Sequence, residues 1–175
     1  MKYKRVTWPR FIVGMIIFLP LFGFLLALRF GAIQNYEVTS ASMEPTLRIG
    51  DRVFMDRIEG YMPLHGDVIV LENPRERGEL ITKRVIGLSG DTVQIRNGYL
   101  YVNGKEQIEM YLSPENARMT TPDRIYHVES QNAFVLGDNR NVSYDSRMFG
   151  SVPVSRIKGK LTFIYWPLKR FGDIQ

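Results

Sequence analysis

The sequence predicts a mainly β protein, antiparallel and arranged as two packed sheets, carried behind one N-terminal transmembrane helix. Three observations lead there. Phe11 to Leu28 is an uncharged run of 18 residues, mostly Phe, Ile, Leu, Val and Met. Beyond it, no long stretch repeats with the period of a helix; short β-branched and aromatic runs alternate with turn residues instead. Two Asn-Gly pairs, Asn97-Gly98 and Asn103-Gly104, lie six residues apart, and Asn-Gly is the strongest short hairpin signal because both residues accept positive φ.

An 18-residue apolar run sits at the short end of what crosses the hydrocarbon core of a bilayer. Pro20 inside it is tolerated by membrane helices and is a candidate kink. Trp8 and Arg10 before the run, and Arg29 after it, suit the membrane–water interface. A buried core helix and a cleaved signal peptide are the alternatives. Cleavage requires small residues at minus-one and minus-three, yet Leu25-Leu26-Ala27 and Phe30-Gly31-Ala32 each place a bulky residue at minus-three. The run therefore reads as a retained anchor.

Charge orients it. The net charge of +5 belongs to residues 1–30, which carry Lys2, Lys4, Arg5, Arg10 and Arg29 and no acid; the remainder balances 18 basic against 18 acidic side chains. By the positive-inside rule, residues 1–10 form a cytoplasmic basic tail, 11–28 the anchor, and 29–175 an extracytoplasmic domain. The lipid bilayer is thus an expected partner. A neutral body offers no electrostatic footprint for nucleic acid.

Within that body the expected strands are Tyr36–Val38, Arg52–Asp56, Asp67–Leu71, Leu80–Leu88, Thr92–Arg96, Tyr99–Val102, Ala133–Leu136 and Lys158–Trp166. The Asn-Gly pairs predict a β-meander around Thr92–Arg96 and Tyr99–Val102. Pro74 to Gly78 reads as a charged loop, and Ser113 to Asp123 as a surface excursion or small subdomain. There is no cysteine, which excludes disulfides, thiolate metal sites and a Cys nucleophile. Only His65 and His127 are available, too few for a multi-histidine zinc site.

Three stretches carry candidate chemistry. In Ser40-Ala41-Ser42-Met43-Glu44-Pro45-Thr46-Leu47, Pro45 lacks an amide hydrogen and biases Glu44 away from helix. Ser42 is therefore expected in an extended or turning segment, suited to presenting a hydroxyl; a plain turn accounts for the composition equally well. In Ile81-Thr82-Lys83-Arg84-Val85-Ile86, strand alternation puts Ile81, Lys83 and Val85 on one face and Thr82, Arg84 and Ile86 on the other. On an inner face Lys83 is desolvated, and burial can lower a lysine pKa by several units, leaving a neutral amine able to act as general base. Arg84 cannot take that role. The pattern by itself favours the alternative, an edge-strand lysine whose head reaches water. The third stretch, Gly137 to Gly150, is dense in polar and turn residues, and Asp145 and Arg147 can pair across it.

In this order behind one anchor, these stretches resemble the type I signal peptidases. Residues 40–47 resemble that family's nucleophile box, Gly50-Asp51-Arg52-Val53-Phe54 the strand box after it, and Lys83-Arg84-Val85-Ile86-Gly87-Leu88-Ser89-Gly90-Asp91 the lysine box, with Ser89 where proline is common. Gly137-Asp138-Asn139-Arg140 through Asp145-Ser146-Arg147 resembles the last box; Asn141-Val142 stand where the family usually has Asp-Asn. The resemblance is weaker over 103–132, which reads as a variable insertion. It implies antiparallel sheets of the signal-peptidase type and a serine endopeptidase that cleaves preprotein signal peptides. Ser42 would be the nucleophile and Lys83 the general base. Ser40, with the Ser42 backbone N–H, would form the oxyanion hole. Ser143 would orient the Lys83 amine, and Asp145 and Arg147 would be structural. Substrate strands would add along Tyr36, Val38, Ile81 and Thr82. No metal or organic cofactor is implied. A maturation peptidase with one dedicated substrate and a non-catalytic anchored β-domain are the competing readings.

Overall fold

The computed structural model describes residues 8–29, 33–57 and 60–174, with side chains from Ile12 to Leu26 and from Gln34 onward. The charges read in the tail, and the interfacial roles of Trp8, Arg10 and Arg29, fall outside the described side chains.

Helix α1, Trp8–Arg29, runs through Pro20. Its described side chains, Ile12 to Leu26, are all exposed, so it is not the buried core helix that the apolar run alone allows. Among the described residues no helix is long and apolar enough to cross a membrane.

The rest is antiparallel β. In order, the strands are β1 Ile33–Glu37, β2 Arg52–Asp56, β3 Val68–Glu72, β4 Leu80–Gly87, β5 Thr92–Arg96, β6 Tyr99–Val102, β7 Lys105–Glu106, β8 Arg124–His127, β9 Asn132–Leu136, β10 Val152–Pro153, β11 Ile157–Trp166 and β12 Gly172–Asp173. A short helix α2, Ser146–Phe149, lies between β9 and β10. The larger sheet has the order β1-β2-β11-β3-β4-β9-β10, with β12 paired to β11; the smaller has the order β7-β6-β5-β8.

Alternation explains how the core is divided. In β3, Val68 and Val70 join one apolar cluster with Met43, Leu47, Val53, Met55, Leu161 and Ile164. Its other buried residues, Ile69 and Leu71, join a second cluster with Val85, Ala133, Val135 and Val152. A strand buried on both faces has to be apolar throughout, and Val-Ile-Val-Leu is. β9 splits likewise: Ala133 and Val135 face the second cluster, while Phe134 and Leu136 meet Val93, Ile95, Leu100 and Val102 of the small sheet in a third.

Both expected hairpins form, with Asn97 and Gly98 at φ 53 and 83 and Asn103 and Gly104 at φ 52 and 77. Within residues 103–132, read as a variable insertion, β7 and β8 complete the small sheet. Neither was expected. β7 has two residues, and β8 reads Arg-Ile-Tyr-His with little burial, so neither carries a strong apolar pattern. Val38, expected in the first strand, lies just past β1, although its N–H and C=O bond to Asp51 and Gly50.

Candidate active site

Ser42 lies on a single 3₁₀ turn, Ala41–Met43, between the extended Ser40 and Glu44, a short turning segment. The proline argument still explains why the turn is so short: Glu44, before Pro45, is extended at φ −67 and ψ 140. Ser40 caps the turn, its hydroxyl accepting from the Ser42 N–H at 3.3 Å. Met43 and Leu47, 1% and 0% exposed, root the segment in the core beneath. Each such burial contributes roughly 1.5–3 kcal/mol, so the hydroxyl is presented by a fixed support.

Lys83 comes from β4, which enters the core partway along: Leu80 is exposed, Ile81 and Thr82 are half-buried, and Lys83 to Gly87 are buried. In the ladder Lys83 stands opposite Ile69 and Ile81 opposite Leu71. Ile81 and Val85 both pack with the second cluster. Lys83 is 3% exposed, and its Nζ donates to Ser42 Oγ at 2.9 Å and to the Thr82 carbonyl at 2.9 Å. Desolvation lowers its pKa from 10.5 to about 8, against the opposing fields of Asp145 and Asp138. The edge-strand lysine reaching water is thereby excluded.

The third stretch is held by ion pairs. Arg84 binds Asp138 through Nε to Oδ1 at 2.9 Å and Nη2 to Oδ2 at 2.7 Å. Asp138 also accepts from Thr46 Oγ1 at 2.5 Å, which joins this loop to the Ser42 segment. Asn139 adds two bonds to the same segment: its N–H donates to the Ser42 carbonyl at 3.1 Å and its amide to the Ala41 carbonyl at 3.2 Å. Asp145 and Arg147 pair as expected, Nε to Oδ1 and Nη2 to Oδ2 both at 2.8 Å. Asp145 in addition caps α2 and accepts from the Gly137 N–H. A Cβ on Gly137 would overlap the Ser143 side chain and the Ser42 carbonyl, so only glycine admits both.

Two expected contacts differ. The Ser143 hydroxyl is buried near these groups but has no hydrogen-bond partner among the described residues. Its bond to the Lys83 amine is not formed; that amine bonds Ser42 and Thr82 instead. The two expected oxyanion donors, Ser40 Oγ and the Ser42 N–H, are bonded to each other.

A cleft of about 340 Å³ opens over this pair, and Tyr36, Val38, Ser40, Ser42, Ile81, Thr82 and Lys83 all line it. β1 is the terminal strand of the larger sheet. Along β4, β9 pairs only with residues 84–87, which leaves 80–83 unpaired by β9 on that side. Val142 and Tyr144 also line the cleft, and sequence reasoning assigned them no such role. Glu109, likewise unforeseen, binds Arg140 Nη1 and Nη2 at 2.8 and 2.5 Å from within the expected insertion. No local pattern marks a lone glutamate 31 residues away as that partner.

Comparisons with known proteins agree with one another. The family described as Signal peptidase, peptidase S26 matches residues 10–166. A signal peptidase I of Bacillus caldolyticus is 35% identical over 184 residues, covering 98% of this chain and 96% of that protein. A signal peptidase IB of Staphylococcus aureus (strain COL) is 36% identical, covering 79% of this chain and 81% of its own. The crystal structure of a signal peptidase I from Enterococcus faecalis V583 superposes with a TM-score of 0.50 at 36% identity, over 58% of this chain and 98% of that one.

Proposed function

Because the chain belongs to the signal peptidase family, peptidase S26, and is a serine endopeptidase that cleaves signal peptides, we propose that Ser42 and Lys83 perform the cleavage as a nucleophile and its general base. The observation that carries this is the 2.9 Å contact between Lys83 Nζ and Ser42 Oγ in a buried site that favours the neutral amine. Serine–lysine pairs are a known variant of the catalytic triad logic.

In the proposed reaction, neutral Lys83 takes the Ser42 proton as Oγ attacks the scissile carbonyl. The developing oxyanion displaces Ser40 Oγ as acceptor of the Ser42 N–H, and the Ser40 hydroxyl turns to donate. Collapse to the acyl-enzyme passes the lysine proton to the leaving amine. Lys83 then activates water for deacylation. Ser143 supports the amine once its hydroxyl turns toward it; Asp145 and Arg147 hold the loop.

The substrate strand adds between β1 and residues 80–83 of β4, contacting Tyr36, Val38, Ile81 and Thr82. Half-buried apolar walls there suit small residues at minus-one and minus-three. Residues 11–28 anchor the enzyme in the membrane, with 1–10 cytoplasmic and the β-domain outside. The uncharged 18-residue run Phe11 to Leu28 supports that reading. The assembled Ser42–Lys83 contact argues against a degenerate binding domain.

The test is the N-terminal sequence of the product from one preprotein bearing Ala at minus-one and minus-three. Wild type releases a single mature N-terminus; Ser42→Ala releases none, and Phe at minus-one blocks wild type. Continued processing by Ser42→Ala refutes the assignment.

A further inference from the structure

The nucleophile-bearing segment is held from a direction that none of the four motifs covers. Arg170, on the 3₁₀ turn Leu168–Arg170 near the C-terminus, donates from Nε to both Asp51 oxygens at 3.0 Å. Its Nη2 donates to the Thr46 carbonyl at 2.7 Å and to the Pro45 carbonyl at 3.4 Å. Among the described residues neither carbonyl accepts from a backbone N–H, so the guanidinium is what satisfies them. Asp51 is 2% exposed and also caps the Arg48 N–H at 2.8 Å. One side chain thus closes the segment from 45 to 51 onto the C-terminal tail. That tail is itself fixed, by β12 pairing with β11 and by Ile174 packing on the cluster beneath Ser42.

Thr46 is the node. Its hydroxyl reaches Asp138 on the last motif, while its carbonyl is gripped by Arg170. Between Thr46 and Ser42 the chain is a continuous run of turns, with Glu44 N–H bonded to the Ala41 carbonyl and Leu47 N–H to the Met43 carbonyl. A displacement at 45–46 is therefore carried to the hydroxyl that must meet Lys83.

We propose that Arg170 is a positioning residue for cleavage, setting the Ser42 hydroxyl against the Lys83 amine through the Pro45 and Thr46 carbonyls. The inference rests on the Ser42–Lys83 reading above. A planar guanidinium serves the carboxylate and the carbonyls together; an ammonium is one point charge and cannot.

Full-length wild type, Arg170→Ala and Arg170→Lys are compared on one preprotein in detergent micelles, reading kcat, KM, the pH dependence of kcat and the thermal midpoint. Arg170→Ala lowers kcat on the order of 10- to 100-fold, the scale of a small misalignment of reacting groups, and leaves KM unchanged. Its rate midpoint moves to higher pH, because a loosened Lys83 site admits water. Arg170→Lys keeps the thermal midpoint through Asp51 but shares the loss of kcat. A folded Arg170→Ala with wild-type kcat, or an Arg170→Lys that restores kcat and stability together, overturns the proposal and leaves a structural ion pair. If Arg170→Ala does not fold, Arg170→Lys decides. Cleavage by Ser42→Ala in the same assay is a separate failure, of the nucleophile assignment itself.

Discussion

Replacing Lys83 with methionine should yield a protein that is inactive and yet more stable at neutral pH. Burial moves the lysine pKa from 10.5 to about 8. One pKa unit is 1.36 kcal/mol, so the charged amine costs the fold about 3 kcal/mol at pH values well below 8. The methionine stem removes that cost and forfeits the bond to Ser42 Oγ, about 1 kcal/mol, leaving a net gain of about 2 kcal/mol. The sign of the pH dependence follows from proton binding: between pH 8 and 10.5 the unfolded lysine holds its proton and the folded one does not. Wild-type stability therefore rises with pH through that window relative to the variant. Urea unfolding of both proteins from pH 7 to 10, followed by tryptophan fluorescence, should show a stability gap that narrows steadily with pH. Activity should fall by ~10²–10⁴-fold or more, while the wild-type rate rises with pH through about 8. A variant less stable than wild type at pH 7, or a gap independent of pH, would refute the claim that Lys83 is held desolvated.

Arg84→Met strips the partner from Asp138, 0% exposed, and should destabilise by about 3–5 kcal/mol; chemical denaturation reads this directly, and a change below 1 kcal/mol counts against the pair as a support of the site. Protease added outside spheroplasts should degrade the 30–175 body and spare the N-terminal tail, as five positive charges and no acid in residues 1–30 require; a fully protected body would reverse the orientation.

What sequence could and could not supply divides by range. The Asn-Gly turns, the alternation in β5 and β6, and the apolar run of β3 are local and emerge where expected. Ser42 and Lys83 were legible as motif members, but their 2.9 Å contact depends on the 40 residues between them folding. The burial of Lys83 was not legible, because strand alternation alone cannot say which face is inside. β8 was missed because its stability comes from pairing with β5 rather than from its own composition. Arg140 was visible in its motif, whereas its partner Glu109 came from the stretch that resembled the family least. Asn141, which departs from the family pattern, has a local explanation: its amide donates to the Glu115 carbonyl and accepts from the Thr120 hydroxyl, and an aspartate could not donate.

Only Phe30, Gly31 and Ala32 separate the end of α1 from β1, four Cα steps or at most about 14 Å. The helix also meets the β-domain through Phe24, whose ring lies edge-on to Phe54 at 6.2 Å, with Phe54 stacked on Tyr165 at 4.4 Å. Since β1 is a wall of the cleft, the aromatic joint ties the aperture to α1. On the proposed topology such an enzyme works as a ruler. A scissile bond held at the matching height above the lipid would then arrive already in register.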